Sequence, residues 1–245
     1  MKSARTFLRY GSMALAAVLV ALTAAPAAAD SSGNSIAILC RGIHPANGLY
    51  MRVDREHGLP RDFAPHDIVP VTLPIQNARL DRTIELRGAA AEPLLDLLRA
   101  ANQSGLRLTV VSGYRSYTDQ VLAFQKWAEL YPDRVDSISA RPGHSEHQLG
   151  VAVDFGTPDP YYTLAQSFAR TPEAGWLQVN AAKFGFVLSY PAWAEGQTGY
   201  SWEPWHYRYV GAPLAQKLEM QRLTLGTLLS QCARMRYAGP PRAPR

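Results

Sequence analysis

The sequence predicts an α+β domain. Helical stripes and short strands alternate along the chain, yet few strands are separated by crossover helices of the length a doubly wound parallel sheet requires. No period of about 20–50 residues recurs, which excludes solenoids and propellers. The chain has 245 residues, 47% hydrophobic and 18% charged, an ordinary globular composition able to bury a sizeable core.

In chain order, residues 30–85 are rich in Pro, Gly and Asn and read as a loop-rich opening. Its best-defined pieces are Leu59–Phe63 and Ile68–Val71. Glu92 to Ala101 then carries a helical stripe of Leu94, Leu95, Leu98 and Ala101, closed by Gly105, and Leu106–Val111 reads as a strand. A helix starts near Ser116, with Asp119 three positions on as a capping box, and stops before Pro132. From Gly150 to Phe155 apolar Val151, Val153 and Phe155 alternate with Ala152 and Asp154, which is a strand. Thr171-Pro172-Glu173 is a helix start, and that helix ends at Gly185. Phe186–Tyr190 and Pro204–Val210 read as strands, and a last helix is predicted from about Pro213 to Cys232. No linker interrupts residues 30–238, read as one domain, and residues 239–245 read as a flexible tail.

The N-terminus is an address. Lys2, Arg5 and Arg9 precede an apolar run from Met13 to Leu22, and Ala27-Ala28-Ala29 follow, so residues 1–29 are predicted to be a secretory signal peptide. That run is about half of the roughly 20 residues a spanning helix needs, so no stable membrane insertion is expected after cleavage. The product is expected in the periplasm or outside the cell. The leader supplies three of the net +5 charges, leaving +2 for the remainder, which gives no support to a nucleic-acid partner. Two cysteines in an exported chain point to one disulfide, Cys40–Cys232. The alternative is a buried thiol, because Cys232 continues the apolar helix face of Leu214, Leu218, Leu225 and Leu229.

Of six histidines, His44, His57 and His66 lie scattered in the opening, without clustered partners. Two other segments concentrate chemistry: Pro142-Gly143-His144-Ser145-Glu146-His147-Gln148-Leu149-Gly150-Val151-Ala152-Val153-Asp154, and Trp202-Glu203-Pro204-Trp205-His206-Tyr207. Asp154 shares a strand face with small Ala152, and a Gly-terminated turn after His147 can fold that imidazole back over the same face. Two imidazoles and one carboxylate make a catalytic zinc set, because they leave a fourth coordination position open. Glu203 lies three before His206, and Pro204 holds it extended or in a turn, where a carboxylate that is not a ligand can serve as general base. A satisfied polar core is the alternative on these residues alone.

The pattern SxHxxGxAxD followed by ExxH is more specific. It is formed here by Ser145, His147, Gly150, Ala152 and Asp154, then Glu203 and His206. It resembles the zinc D-alanyl-D-alanine metallopeptidases of bacterial cell walls, a group that includes lysostaphin-type enzymes and hedgehog domains, and within it the VanY-type D,D-carboxypeptidases. Leu59–Val69, Ser112-Gly113-Tyr114-Arg115-Ser116-Tyr117 with Gln120, and Tyr200–Gly211 extend the likeness over roughly residues 55–220. The resemblance implies a small antiparallel central sheet with flanking helices. It implies Zn2+ held by His147, Asp154 and His206, with Glu203 as base and Arg115 stabilising the oxyanion or holding substrate. Ser145 and Gln120 would hydrogen-bond the terminal D-residue of peptidoglycan stem peptides ending in D-Ala-D-Ala. His144 falls outside the motif and is expected beside the site or exposed. A departure is Ser189-Tyr190-Pro191-Ala192-Trp193-Ala194, where VanY-like sequences commonly carry Arg before Tyr-Pro and Lys shortly after. The loss of those charges keeps two alternatives open: a peptidoglycan endopeptidase of the same fold, and a non-catalytic wall-binding module. Glu203 argues against the second, since a structural zinc needs no base.

Overall fold

The computed structural model describes residues 31–43, 48–74, 77 and 83–237. The predicted leader 1–29, His44 and the tail 239–245 lie outside them. The strands are β1 (Ile68–Val71), β2 (Ile84–Arg87), β3 (Thr109–Ser112), β4 (Ala152–Gly156), β5 (Phe186–Leu188) and β6 (His206–Tyr209). The helices are α1 (Ser31–Arg41), α2 (Gly88–Gln103), α3 (Tyr117–Leu130), α4 (Val135–Ile138), α5 (Pro172–Asn180), α6 (Glu195–Thr198), α7 (Ala212–Gln221) and α8 (Leu225–Tyr237). β3, β4, β6 and β5 lie side by side in that order, every neighbour antiparallel, and β1 and β2 make a separate antiparallel pair. This is the small antiparallel sheet with flanking helices that the family resemblance implied.

Alternation along the strands divides the central sheet into two faces. Val153 and Phe155 of β4, Phe186 of β5 and Tyr207 of β6 point into an apolar core, against Ala90, Leu94, Leu97, Leu98 and Ala101 of α2. Phe155 packs edge-on against Phe186 and Tyr207 there. Asp154 and His206, paired across β4 and β6, point the other way.

Three expectations are corrected. The opening is less loop-like than its composition indicated, because α1 forms there. Ser31-Ser32-Gly33-Asn34 obscure an apolar stripe of Ile36, Leu39, Cys40 and Ile43, spaced for one helical face and packed with α7 and α8. The helix expected from Glu92 begins four residues earlier, at Gly88, despite Pro93 inside it. Its entrance is tied by Arg87 N–H to Gly150 O (2.8 Å) and Gly88 N–H to Asp67 O (2.9 Å). The single C-terminal helix is two. Arg222 adopts a left-handed φ of 49°, Leu223 N–H closes onto Leu218 O, and Thr224 Oγ1 accepts the Thr227 N–H to start α8. Cys40 and Cys232, 192 residues apart, form a disulfide that joins α1 to α8.

Candidate active site

His147 sits in a single 3-10 turn, Glu146–Leu149, that enters β4. Ser145 starts the turn by accepting the His147 N–H on its Oγ (3.3 Å). Gly150 ends it with φ 70°, a left-handed conformation that favours glycine, and a Cβ there would press on Ile68 Cδ1 at 2.5 Å. The turn brings His147 over β4, where Nε2 lies 3.2 Å from Asp154 Oδ2. His206 Nδ1 approaches the other oxygen, Oδ1, also at 3.2 Å. One ligand atom from each of His147, Asp154 and His206 can be chosen within 4.8 Å of the others, and all three side chains are buried.

The outer nitrogens of both rings are engaged, and this sets the tautomers. His147 Nδ1 lies 2.7 Å from Gly113 O, an acceptor only, so Nδ1 carries hydrogen and Nε2 presents its lone pair inward. His206 Nε2 lies 3.1 Å from Glu146 Oε2, so it too donates outward and leaves Nδ1 facing Asp154. Asp154 Oδ1 is buried without a well-formed hydrogen bond. Two imidazole lone pairs and an orphaned carboxylate oxygen converging on one point are the donor set of a borderline divalent cation such as zinc. The site therefore fits the metal that the sequence implies.

Glu203 lies just before the β6 turn, its N–H donated to Tyr190 O (3.0 Å) and its Oε2 3.6 Å from His206 Nδ1. Burial pushes its carboxyl up to about 8 against the pull of His206. Burial alone would also raise Asp154, but His147 and His206 hold it well below the carboxylate range. Burial would lower His206, yet without a metal the carboxylates on its two nitrogens carry it up to about 10, so a cation binding at the triad would displace the Nδ1 proton and take that lone pair. Burial dominates at His147 and lowers it.

Arg115 extends over the same cavity. Its Nη1 donates to Gln120 Oε1 (2.8 Å), its Nη2 to Ser112 Oγ (3.0 Å), and Nη2 stands 3.8 Å from Asp154 Oδ2. Gln120 is buried and spends its amide nitrogen on Ala140 O (2.6 Å). Gln120 thus holds the guanidinium, with both ends of its amide engaged inside the protein. One pocket is lined by Arg115, Gln120, Ser145, His147, Asp154, Glu203 and His206, together with Tyr190, Tyr200 and Trp205. His144 is elsewhere, its Nδ1 2.7 Å from Asp54 O. His57 pairs with Asp54, and Tyr207 belongs to the core.

Sequence reasoning missed Glu146. Its carboxylate is buried against His206, Arg208 and Ser189, and although burial opposes it, the Arg208 charge and the His206 and Ser189 hydrogen bonds bring it down to about 2. The only signal in the sequence was Arg208, two residues after His206 and so on the same strand face. Ser189, at the departure noted above, donates its hydroxyl to Glu146 Oε2 (2.6 Å).

Peptide hydrolysis at a metal is the chemistry that uses the converging donors, the adjoining carboxylate and the fixed guanidinium together, and it places the protein among the metallopeptidases. Comparison with known families narrows this. Residues 83–212 match the VanY model, described as D-alanyl-D-alanine carboxypeptidase, and the chain belongs to that family. It is 36% identical over 186 residues to YodJ of Bacillus subtilis, covering 74% of this chain and 67% of that protein. The LdcB LD-carboxypeptidase structure superposes with a TM-score of 0.66 at 35% identity, covering 73% of this chain and 84% of that one. The vancomycin-resistance D,D-pentapeptidase VanY, solved as a variant with Zn(II), superposes with a TM-score of 0.60 at 31% identity, covering 74% and 99%.

Proposed function

We propose that this protein is an exported, zinc-dependent D,D-carboxypeptidase that removes the terminal D-Ala from peptidoglycan stem peptides. The observation that carries the reading is the inward-facing pair of imidazole lone pairs on either side of Asp154, with Glu203 alongside. His147, Asp154 and His206 would hold the zinc, which would supply Lewis acidity to the scissile carbonyl and its attacking water. Glu203 takes the proton from water and passes it to the leaving amine. Its raised affinity for a proton suits the second half of that cycle, and a dication at the triad favours the carboxylate needed for the first. Arg115, braced by Gln120 and Ser112, offers a fixed cation to the developing oxyanion or to the substrate carboxylate. Ser145 lines the pocket wall and contributes the start of the His147 turn. Gln120 acts on substrate through Arg115.

Residues 30–238 form the working domain in this reading, and residues 1–29 direct export. Among the described residues no helix is long and apolar enough to cross a membrane. The likeness to LdcB, an LD-carboxypeptidase, supports a second reading in which the stem tetrapeptide is trimmed. Digestion of purified muropeptides, followed by mass measurement of the fragments, separates the two. Loss of one alanine from pentapeptide stems supports the D,D reading; loss from tetrapeptides alone supports the LD reading. A cut cross-link would make the enzyme an endopeptidase, and the absence of any product would overturn catalysis.

A further inference from the structure

Glu146 immediately precedes His147, so one turn delivers both a proposed ligand and the carboxylate that touches the other imidazole. Every oxygen of that carboxylate is engaged. Oε2 faces His206 Nε2 at 3.1 Å and accepts the Ser189 hydroxyl at 2.6 Å, while Oε1 accepts Arg208 Nη1 at 2.8 Å. Arg208 is 1% exposed and is anchored at its far end, where Nη2 donates to the carbonyls of Leu49 (2.7 Å) and Met51 (2.9 Å). The carboxylate is therefore clamped by β6, by the chain after β5 and, through Arg208, by the segment before β1. It has no freedom to leave His206.

We propose that Glu146 is a positioning residue: held by Arg208 and Ser189, it accepts the Nε2 hydrogen of His206 and so keeps Nδ1 aimed at Asp154. The inference rests on the zinc reading above, in which Nδ1 is the ligand atom. An imidazole can turn over or exchange its tautomer, and either motion would remove the lone pair from the metal position. A clamped carboxylate forbids both, and such outer partners are typically worth about 10–100-fold in metal affinity. A purely structural ion pair would act differently. Its loss would lower the melting temperature and leave the zinc affinity of the folded protein unchanged.

Glu146→Gln tests this. The amide keeps the shape, but its NH2 and its single oxygen cannot together satisfy the donors of His206, Ser189 and Arg208. A double variant, Glu146→Gln with Arg208→Met, removes both buried charges and guards against misfolding caused by an unpaired guanidinium. Zinc dissociation constants would be measured by competition with a chromophoric chelator, and folding by thermal melts of the metal-free proteins. The expected result is a cooperative melt with zinc affinity weakened about 10–100-fold in both variants. Parental affinity in a folded variant would overturn the role of Glu146. A parent protein that binds no zinc at all would instead overturn the reading beneath it.

Discussion

The two faces of the central sheet are built from the same strands and do opposite work. On β4, Val153 and Phe155 bury apolar surface while Ala152 and Asp154, one residue out of phase, lie on the opposite face, where Asp154 lines the cavity. On β6, Tyr207 enters the core while His206 and Arg208 join the buried polar network. The apolar face gains stability from every group it removes from water. The polar face gathers Asp154, Glu146, Glu203, two histidines and Arg208 in low dielectric, an arrangement that costs stability unless each charge is matched. The core thus carries the expense of a site assembled for affinity and catalysis.

Substitutions on the polar face should abolish function with the fold intact. His147→Ala and Asp154→Ala are expected to lose both zinc and turnover, read by elemental analysis and muropeptide assay, and a variant that retains zinc with parental affinity would show that the ligand set is wrong. Glu203→Gln is expected to keep zinc while turnover falls by about two to four powers of ten. Near-normal activity would remove Glu203 from the role of base. The apolar face should respond in reverse. Phe155→Ala leaves a hole under β4 and is expected to cost about 3–5 kcal/mol in denaturant melts, with zinc stoichiometry unchanged in whatever fraction is folded. Lost zinc at full folding would mean that the two faces are coupled through the strand.

The disulfide belongs to a separate apolar cluster with α7, Val210 and Val187 of the edge strand β5. Closing so long a loop stabilises by about 2–5 kcal/mol in typical cases. Reduction should lower the melting temperature, while zinc content and activity in the cold persist. Two thiols alkylated in unreduced, denatured protein would show that no bond forms. A further effect concerns pH. Glu203 titrates near 4.5 when unfolded and near 8 in the folded, metal-free protein. Between those values the unfolded chain binds fewer protons, so this carboxyl makes stability fall as pH rises, with the loss complete above about 8. Chelated Glu203→Gln should therefore gain on the chelated parent across that window. Equal pH slopes for the two would show that Glu203 is not held neutral.

Much of the site was legible because its residues cluster in two short segments whose spacing reflects local geometry. A turn ended by Gly150 and the alternation of β4 suffice to relate His147 to Asp154. The capping box at Ser116 and Asp119 was equally readable, since both its hydrogen bonds form within four residues. The illegible parts depend on distant partners. Nothing near Gln120 shows that its amide is taken up by Ala140 and Arg115. The break at Arg222 interrupts an apolar stripe that reads as continuous, because Thr224 caps a new helix only once α7 has turned away.

The sequence by itself determined the proposed donor types, the proposed base and their order along the chain, because metal ligation and proton transfer demand particular side chains. It also determined which strand residues are apolar, because alternation is a local property of extended backbone. Only the tertiary structure decided the state of each donor. His206 is fixed with Nδ1 inward because Glu146, Ser189, Arg208 and the carbonyls of Leu49 and Met51 meet around it from four separate stretches of chain. A tautomer is set by hydrogen-bond partners in space, and no spacing within a motif records them.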